Sequence, residues 1–405
     1  MKAYLDNNAT TAIAPEVFEA MVPYLKENYA NPSSMYDPAR ISANAIKNAR
    51  NQVADFLGVA DSSQIIFTSC ATESANTAIK GIVERTCPNC SKCKNHIITT
   101  QVEHPCVLSV YEHLEKKGCS ATYVGVNEKG ELNIDNLLSK ITPDTILVSV
   151  MHANNETGAI YPVYEIAREV KKINKDIKVF VDGVQAAGKI DIELDNSDID
   201  FYSISGHKFH APKGIGALYV KKGNLFEPLL NGGHQENLLR AGTENTPYIV
   251  GLGAAAQLAK AGLKYENSEV KRLRDRLEAE ILLQLKNAKL NSKSSNRVPN
   301  TTNIGFEYIE GELILLYLND LGIYASSGSA CTSGSLDPSH VLRAQKVPFT
   351  SLHGSIRFSL SRYTTQDEID YTVKNTVEVI KKLAQISPFQ KELKEIGRAS
   401  CRERV

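Results

Sequence analysis

The sequence predicts an α/β protein with two domains. The large domain is built on a mainly parallel, seven-stranded sheet, and the smaller one is α+β. In the middle of the chain, short β-rich runs alternate with amphipathic stretches, a pattern typical of a parallel sheet covered on both faces by helices. After about residue 248 the pattern changes to long helical stretches and a few strands, followed by a final helix that Thr365 and Glu368 begin with a capping box.

The predicted strands of the large sheet are residues 65–68, 97–100, 121–124, 145–151, 179–182, 201–205 and 216–220. The predicted helices are residues 73–85, 105–117 and 163–172 between these strands, and 249–263 and 269–285 after them. We expect the large domain to span residues 15–250 and the small domain to span residues 1–14 and 251–394. Residues 395–405 resemble a translated adapter and are interpreted as a non-native tail, so Cys401 is set aside.

Composition narrows the class of protein. The chain has 405 residues, of which 42% are hydrophobic, with 46 basic and 46 acidic side chains. A balanced charge gives no bulk attraction for nucleic acid or an anionic membrane, so we expect small molecules and proteins as partners. No apolar stretch is long enough to span a membrane, and the N-terminus lacks a signal-peptide layout. Eight scattered cysteines without an export signal indicate reduced thiols in a cytoplasmic protein.

Chemistry is expected where the strands end, because ligands of open α/β sheets bind beyond the carboxyl ends of the strands. Lys208 follows the strand at 201–205 in the sequence Gly206-His207-Lys208. A lysine in this position can form a Schiff base with pyridoxal phosphate (PLP). The alternative for Lys208 alone is an ordinary surface lysine.

The strand at 179–182 ends in Asp182, and Gln185 follows three residues later. PLP requires an anionic partner at its ring nitrogen, because a protonated ring withdraws electrons from the substrate. Asp182 is the candidate for that partner, and Gln185 is a candidate donor to the phenolic oxygen. The alternative for Asp182 is a helix cap.

Three other strand ends complete the pattern. Residues 69–74, SCATES, combine small and hydroxyl side chains at a helix start, which suits a phosphate, although Thr72 could be a plain N-cap. His104 precedes a helix-starting proline and either exchanges protons above the cofactor ring or is structural. Residues 152–158, HANNETG, form a polar run that we expect to contact ligand rather than core.

These segments together resemble a known family. The motifs are YLDNNATT (residues 4–11), TSCATES (68–74), EHP (103–105), HANNETG (152–158), VDGVQ (181–185), SISGHKFHAPKGIGALY (203–219), RAGTEN (240–245) and SSGSACTSGS (326–335). They are similar to those of the cysteine desulfurases, PLP-dependent enzymes of fold type I related to the class V aminotransferases. The long SSGSACTSGS segment resembles the first group of that family, and RAGTEN resembles its nitrogen-fixation type. The resemblance runs from about Tyr4 to Lys382.

The resemblance implies a role for each matching residue. Lys208 would hold the cofactor, His104 would stack on its ring, Asp182 would bind the ring nitrogen and Gln185 would contact the phenolic oxygen. The phosphate would be held by Ala71, Thr72, Ser205, His207 and, from the neighbouring subunit of a homodimer, Thr243. Asn155 and Arg357 would bind the carboxylate of L-cysteine. An iron–sulfur scaffold protein would accept the sulfur.

Cys331 would receive the sulfur as a persulfide, leaving L-alanine. A thiolate is the required nucleophile, and the surrounding small residues and glycines can bury little surface. The same position would also allow transient contact with an iron–sulfur cluster. The alternatives are a buried structural cysteine for Cys331 and a surface salt bridge for Arg357, whose planar guanidinium also suits carboxylates.

Two features depart from the family pattern. Cys70 stands where many relatives have glycine, and we interpret it as a packed thiol. Cys87, Cys90 and Cys93 repeat at a metal-ligand spacing, with His96 as a possible fourth ligand. A thiol-rich loop without a functional metal is the favoured interpretation of this insertion.

The sequence is also compatible with two rival functions. Another PLP enzyme of the same fold, such as a selenocysteine lyase or an aminotransferase, would share Lys208 and Asp182, although an aminotransferase needs no thiol like Cys331. A metal-binding or sulfur-carrier scaffold on an inactive PLP fold is the rival from another class. The presence of Lys208, Asp182 and His104 together argues against it.

Overall fold

The computed structural model describes residues 1–87, 95–327 and 338–402. The strands are β1 (Ala3–Tyr4), β2 (Ile65–Thr68), β3 (His96–Thr100), β4 (Ser120–Val124), β5 (Thr145–Met151), β6 (Lys178–Asp182), β7 (Phe201–Ser205), β8 (Gly216–Val220), β9 (Ala288–Leu290), β10 (Thr301–Phe306), β11 (Ile323–Tyr324) and β12 (Ser355–Ser359). Within the described ranges, seven of them form one sheet in the order β2-β8-β7-β6-β5-β3-β4. Only β8 runs antiparallel to its neighbours in that sheet. The predicted α/β fold with a mainly parallel seven-stranded sheet is therefore confirmed.

The helices of the first part of the chain are α1 (Pro15–Lys26), α2 (Asp37–Phe56), α3 (Ala71–Thr86), α4 (Pro105–Lys116), α5 (Ile134–Leu138) and α6 (Val163–Ile173). Those of the second part are α7 (Thr246–Tyr265), α8 (Lys271–Gln284), α9 (Gly311–Asp320), α10 (His340–Ala344), α11 (Phe349–Leu352), α12 (Gln366–Ile386) and α13 (Gln390–Arg402). Among the described residues, none of these helices is apolar over a length that could cross a membrane.

Both faces of the large sheet are buried, and side chains alternate between them as the pleat requires. In β6, Val179 and Val181 pack into the core on one face, beneath α2, α6 and α7. Phe180 points to the other face, where it packs with α3 and α4. Helices therefore cover the two faces and leave the carboxyl edge of the sheet open to the loops that follow the strands.

A second core lies around an antiparallel sheet in the order β12-β10-β9 and a parallel pair of β1 and β11. Its buried side chains include Ile304, Phe306 and Phe358 from the sheet and Leu277 and Ile380 from α8 and α12. Leu5 from the N-terminal segment also packs here, so the two ends of the described chain share this core.

The long helices of the second part differ slightly from prediction. A π-helical turn, Glu266–Val270, joins α7 to α8 without an intervening loop. Along α7, residues Leu252, Ala256 and Ala259 pack in the core of the large sheet. The sequence predicted two separate helices because this turn is rich in polar residues. In the structure these residues lie at the helix surface, except for the buried Glu266.

The capping box of Thr365 and Glu368 begins α12 as predicted, with both reciprocal hydrogen bonds present. The prediction that this helix is the last one is wrong. Pro388 interrupts it, because a proline disfavours helical geometry in the residue before it, and α13 begins at Gln390. Phe389 then packs against Tyr308, with ring centroids 5.4 Å apart.

Glu103 connects two strands at the carboxyl edge of the large sheet. Its Oε1 atom accepts hydrogen bonds from Thr100 Oγ1 at 2.7 Å and from the Met151 backbone at 2.9 Å. The side chain is fully buried, and this burial raises the pKa of Glu103 to about 8. The ends of β3 and β5 are thus held together by a carboxyl group that is protonated at neutral pH.

We predict that Thr365→Ala lowers the free energy of unfolding by about 1 kcal/mol, because the N-terminus of α12 loses its cap. Thr365→Ser should retain most of the stability, since the hydroxyl is kept. Urea denaturation of both variants measures the difference. An equal loss in the serine variant would assign the effect to the methyl group and contradict the capping explanation.

We predict that the stability difference between the wild type and Glu103→Gln depends on pH. The folded-state pKa of Glu103 lies above the ordinary value of 4.5. Its contribution is therefore fully present below that value and is lost as pH rises through about 8. Urea denaturation at pH 5, 7 and 9 should show that the wild type loses stability relative to the variant as the pH rises. A pH-independent difference would contradict a protonated Glu103.

Candidate active site

A cavity of about 370 Å³ opens at the carboxyl edge of the large sheet, between that sheet and β12. Its walls include these predicted site residues: Ala71, Thr72, His104, Asn155, Asp182, Gln185, Ser205, His207, Lys208 and Arg357. They come from the ends of four strands, from the start of α3 and from β12. A space of this size is sufficient for a small-molecule ligand.

Lys208 lies at the end of a single 3₁₀ turn, Gly206–Lys208, directly after β7. Its amine donates hydrogen bonds of 2.7 Å to the carbonyl oxygens of Asn8 and of Ala9. The turn packs closely against its neighbours, since a Cβ atom at Gly206 would lie 3.0 Å or less from Ala211 and Leu252. The two hydrogen bonds hold the lysine side chain at the cavity wall.

Asp182, the last residue of β6, is 4% exposed. Its Oδ1 atom accepts a hydrogen bond from the Val184 backbone at 3.0 Å, and Cys106 Sγ lies 3.8 Å from Oδ2. Burial raises the pKa of Asp182, while the nearby His104 favours its ionised form. A buried carboxylate with one oxygen facing only a weak thiol donor is well suited to a cationic partner.

His104 has the structural role considered from the sequence, and its proposed role above the cofactor ring stays a prediction. Its Nδ1 atom accepts a hydrogen bond of 3.1 Å from the Cys106 backbone, so the ring caps α4. Burial lowers the pKa of His104, and the neutral ring therefore carries its proton on Nε2. The ring also lines the cavity, with a defined tautomer and a fixed orientation.

The start of α3 forms another wall. The helix begins at Ala71, two residues before the predicted start, and its N-cap is Cys70 rather than Thr72. The Cys70 side chain makes no capping hydrogen bond, so the first-turn N–H groups of this 16-residue helix are not capped by it. Together with the hydroxyls of Thr72 and Ser205 on the cavity wall, these groups suit a phosphate.

His207, another predicted phosphate contact, also lines the cavity. Burial lowers its pKa to about 4, and the nearby Lys208 contributes to the same shift. Its Nδ1 atom lies 3.3 Å from Thr10 Oγ1. The ring is therefore neutral at neutral pH, and it would interact with a phosphate by hydrogen bonding rather than by charge.

Arg357 is 3% exposed and lies in the central part of β12. Its guanidinium donates to Asp6 Oδ1 at 2.6 Å and to the Asn155 carbonyl at 3.0 Å. The alternative of a surface salt bridge is wrong, because this ion pair is buried at the cavity wall. Its Nε atom is buried without a hydrogen-bond partner among the described residues, which leaves donors for a carboxylate.

The polar run after β5 is mainly structural, contrary to the expectation of ligand contact. Asn155 and Ala153 line the cavity. Asn154, however, is buried and its Oδ1 atom accepts from the backbones of Glu156 and Thr157. His152 is buried against Tyr202, with Nδ1 2.8 Å from the phenolic oxygen. Each polar side chain organises the loop that presents Asn155.

Thr243 does not line this cavity. It lies at a separate cavity of about 180 Å³ with Ser69 and Arg240, where Arg240 also forms an ion pair with Glu73 at 2.8 Å. This position does not conflict with the prediction that Thr243 contacts a phosphate in a neighbouring subunit. The structure contains a single chain, so that role stays a prediction.

The proposed metal ligands do not converge in the described part of the chain. Cys90, Cys93 and Cys331 lie outside the described residues, and Cys87 is buried at the end of α3. His96 is buried in β3, where its two ring nitrogens lie 2.8 Å from Thr145 Oγ1 and 2.9 Å from Thr122 Oγ1. The prediction that His96 could be a fourth metal ligand is therefore wrong, because both ring nitrogens are already hydrogen-bonded inside the sheet.

Sequence reasoning assigned no role to several wall residues. Asn8 and Ala9 come from the N-terminal segment, and Cys106 comes from the first turn of α4. The Asn8 side chain donates to the Asn155 carbonyl at 3.1 Å and to Thr301 Oγ1 at 2.8 Å. The motif YLDNNATT was the available signal, although it follows no strand of the large sheet.

The donor set fits PLP. The amine of Lys208, the buried acid of Asp182 and the start of α3 converge on one cavity and meet the three requirements of the cofactor. The Oε1 atom of Gln185 is buried without a hydrogen-bond partner among the described residues. Its amide nitrogen donates to the Asn8 carbonyl at 3.0 Å and has a second N–H for the phenolic oxygen.

Comparisons with known proteins agree with this geometry. Residues 3–372 match the family described as aminotransferase class-V. The chain is 53% identical over 389 residues to a cysteine desulfurase of Trichormus azollae, covering 96% of this chain and 95% of that one. It is 48% identical over 386 residues to cysteine desulfurase NifS of Azotobacter vinelandii, covering 95% of this chain and 94% of that one.

A solved structure described as a NifS-like protein superposes with a TM-score of 0.88 at 39% identity, covering 95% of this chain and 100% of the other. A NifS-like protein from Rickettsia africae superposes with a TM-score of 0.83 at 30% identity, covering 94% and 100%. The resemblance seen in the motifs is thus confirmed over nearly the whole chain. The chain belongs to the class-V aminotransferase family and, within it, to the cysteine desulfurases.

Proposed function

We infer that this protein is a PLP-dependent cysteine desulfurase that removes sulfur from L-cysteine and gives L-alanine. The observation that carries this conclusion is the convergence of Lys208, Asp182 and His104 on one cavity of about 370 Å³. Family membership supplies the reaction class. When bound, PLP would supply an electron sink for the α-carbon of the substrate.

The proposed roles of the residues follow from their positions. The Lys208 amine moves the α-proton of the substrate, since an amine close to the reacting carbon is an effective general base. Asp182 keeps a proton on the ring nitrogen, and His104 stacks on the ring and donates through Nε2. The start of α3, with Thr72, Ser205 and His207, holds the phosphate.

Arg357 and Asn155 are proposed to bind the substrate carboxylate. The Arg357 guanidinium is already desolvated at the cavity wall and uses only some of its five N–H groups on Asp6 and Asn155. A carboxylate entering this environment gains a charge-assisted contact with little competition from water.

Cys331 is proposed as the sulfur acceptor. Its thiolate attacks the substrate sulfur, an S–S bond forms, and the C–S bond breaks with its electron pair retained by the carbon. Protonation of that carbon gives the methyl group of alanine. One L-cysteine and one enzyme thiol thus become one L-alanine and one enzyme persulfide, and a reductant or acceptor thiol later releases the sulfur.

The described residues on either side of Cys331 support this assignment. Ser326 exchanges backbone hydrogen bonds of 3.2 and 2.6 Å with Arg357, a cavity residue. Ser339 donates to Glu156, and His340 Nε2 lies 2.8 Å from the Glu103 carbonyl, directly before His104. Cys331 follows Ser326 by five positions in the chain, a length that can span at most about 18 Å. This short distance along the chain supports Cys331 as the acceptor.

We also propose the finer features of the assembly. The protein would form a homodimer in which Thr243 reaches the phosphate of the neighbouring subunit, and an iron–sulfur scaffold protein would accept the persulfide sulfur. The similarity to NifS of Azotobacter vinelandii supports the choice of acceptor. The two cores would correspond to the two predicted domains, residues 15–250 and residues 1–14 with 251–394, except that α7 packs in the core of the large sheet as far as Ala259. The cytoplasmic location stays a prediction.

The direct test is product analysis. Purified, PLP-loaded protein with L-cysteine and dithiothreitol should release equal amounts of alanine and sulfide. An aminotransferase would instead consume a 2-oxo acid without forming sulfide, and a selenocysteine lyase would act on selenocysteine alone. Either result would overturn the proposed function.

We predict that Cys331→Ser abolishes sulfide release but leaves the visible absorbance of the bound cofactor unchanged. The cofactor is held by Lys208, whereas the sulfur needs a thiolate acceptor. Cys119→Ala is the matched control, because Cys119 is buried in the core that α3 and α4 form with the large sheet. This variant should keep sulfide release. Full desulfurase activity in the Cys331 variant would contradict the assignment.

We predict that Arg357→Lys raises the KM for L-cysteine about tenfold or more, because a lysine cannot make the bidentate contact of a guanidinium. The cofactor absorbance should remain. Arg297→Lys is the control, since Arg297 binds Glu278 in a different buried pair at 2.9 Å. An unchanged KM in a folded Arg357 variant would remove Arg357 from substrate binding.

A further inference from the structure

Lys208 separates two spaces. On one side is the cavity of the candidate active site, and on the other is a cavity of about 20 Å³. The smaller cavity is lined by Asn7, Thr11, Gly188, Lys189, Lys208, Phe209, His210, Glu266, Asn300, Leu360, Ser361 and Arg362. A space of this size admits about one water molecule, so charges around it are poorly screened.

Lys189 is the unusual member of this group. It is 5% exposed, and its amine has no hydrogen-bond partner among the described residues. A buried ammonium without a hydrogen bond is costly, and such groups are found where function requires them or where other charges compensate. The Gln185 segment that follows β6 continues into the turn carrying Lys189, so the residue is placed by the same loop that lines the active site.

Glu266 and Arg362 provide the compensation. Glu266, in the π-helical turn between α7 and α8, has Oε1 3.3 Å from Arg362 Nε, and both side chains are largely buried. Arg362 also donates to the Leu258 carbonyl at 2.9 Å. Glu266 therefore faces two cations, Arg362 and Lys189, and cannot neutralise both. The cluster keeps a net positive charge behind Lys208.

The charge states are consistent with this arrangement. Burial lowers the pKa of Lys189 to about 8, Glu266 raises it, and Lys208 and Arg362 lower it further. Lys189 is therefore mainly protonated at neutral pH. Burial also lowers the pKa values of His207 and His210 to about 4, so neither ring carries charge near pH 7. The charged groups facing Lys189 at neutral pH are Glu266, Arg362 and Lys208.

We propose that Lys189 is a positioning residue whose buried positive charge, behind Lys208, favours the unprotonated form of the Lys208 nitrogen. A nearby cation disfavours a second positive charge, and the effect is strong where water is excluded. The proposal rests on the proposed role of Lys208 as the amine that holds the cofactor and moves the substrate proton. An unprotonated nitrogen is the form that accepts a proton.

The test is a pH titration of the visible absorbance of the PLP-loaded protein, which reports protonation of the Lys208 nitrogen in its bond to the cofactor. Lys189→Met removes the charge and keeps the length of the side chain. It should raise the pKa of that titration by about one unit. Lys213→Met is the matched control: Lys213 is an exposed lysine near His207, so solvent screens its charge and the titration should not move.

Lys189→Gln is the second charge-removing variant in case the methionine disturbs folding, and circular dichroism with cofactor content checks both proteins. A higher pKa of the absorbance titration in either variant supports the proposal. Folded, cofactor-loaded variants that titrate like the wild type overturn it. If wild-type absorbance does not depend on Lys208, as tested with Lys208→Ala, the proposed function itself fails, and this outcome is distinct from an unshifted titration.

Discussion

The buried N-terminal segment from Asp6 to Thr11 is the constraint on which the candidate site depends. Its backbone must satisfy its polar groups without strand partners in the large sheet, and it does so with the site residues themselves. The Asn8 and Ala9 carbonyls accept from Lys208, and the Asn8 carbonyl also accepts from Gln185. Asp6 binds Arg357, and Asn7 donates to the Ser359 carbonyl of β12. The segment therefore links the loops of the large sheet to the small sheet, and the separation of Lys208 from Arg357 depends on its position.

Several buried polar and charged groups in and beside the site have incomplete sets of partners. Asp182 faces a thiol whose pKa burial raises well above its usual value, so Cys106 supplies no charge. Arg357 has one carboxylate partner and an unused buried Nε, and Lys189 has no hydrogen bond among the described residues. Each arrangement costs stability in an empty protein and is relieved by a ligand of matching charge or by a neighbouring charge. Asp182 and Arg357 are therefore well suited to a cofactor with a ring nitrogen and to a substrate carboxylate, respectively.

Much of the fold could be predicted because the strands of the large sheet are apolar on both faces and end in polar residues or glycine. Strand β5 was predicted with its observed bounds, and β3 was missed by one residue because His96 is polar yet buried between two threonines. The residues after the strands were predicted because chemistry at a parallel sheet concentrates at one edge. Asn8 could not be found that way, since its position depends on contacts with Asn155 and Thr301, far away in the sequence. The structural role of Asn154 was equally hidden, because a polar residue after a strand can face a ligand or cap its own loop.

Arg357 connects the two halves of the proposed chemistry. Its side chain lines the cavity, where it would hold the substrate carboxylate, and its backbone exchanges hydrogen bonds with Ser326, where the segment carrying Cys331 departs. The far end of that segment returns through Ser339 and His340 to Glu156 and Glu103, the neighbours of Asn155 and His104 in sequence. A displacement of β12 relative to the large sheet would therefore move the substrate and the origin of the thiol segment together. In the proposed function, Lys208 and Asp182 would account for the use of PLP in general, whereas Arg357 would relate the cofactor site to the sulfur acceptor because it contacts both the cavity and Ser326.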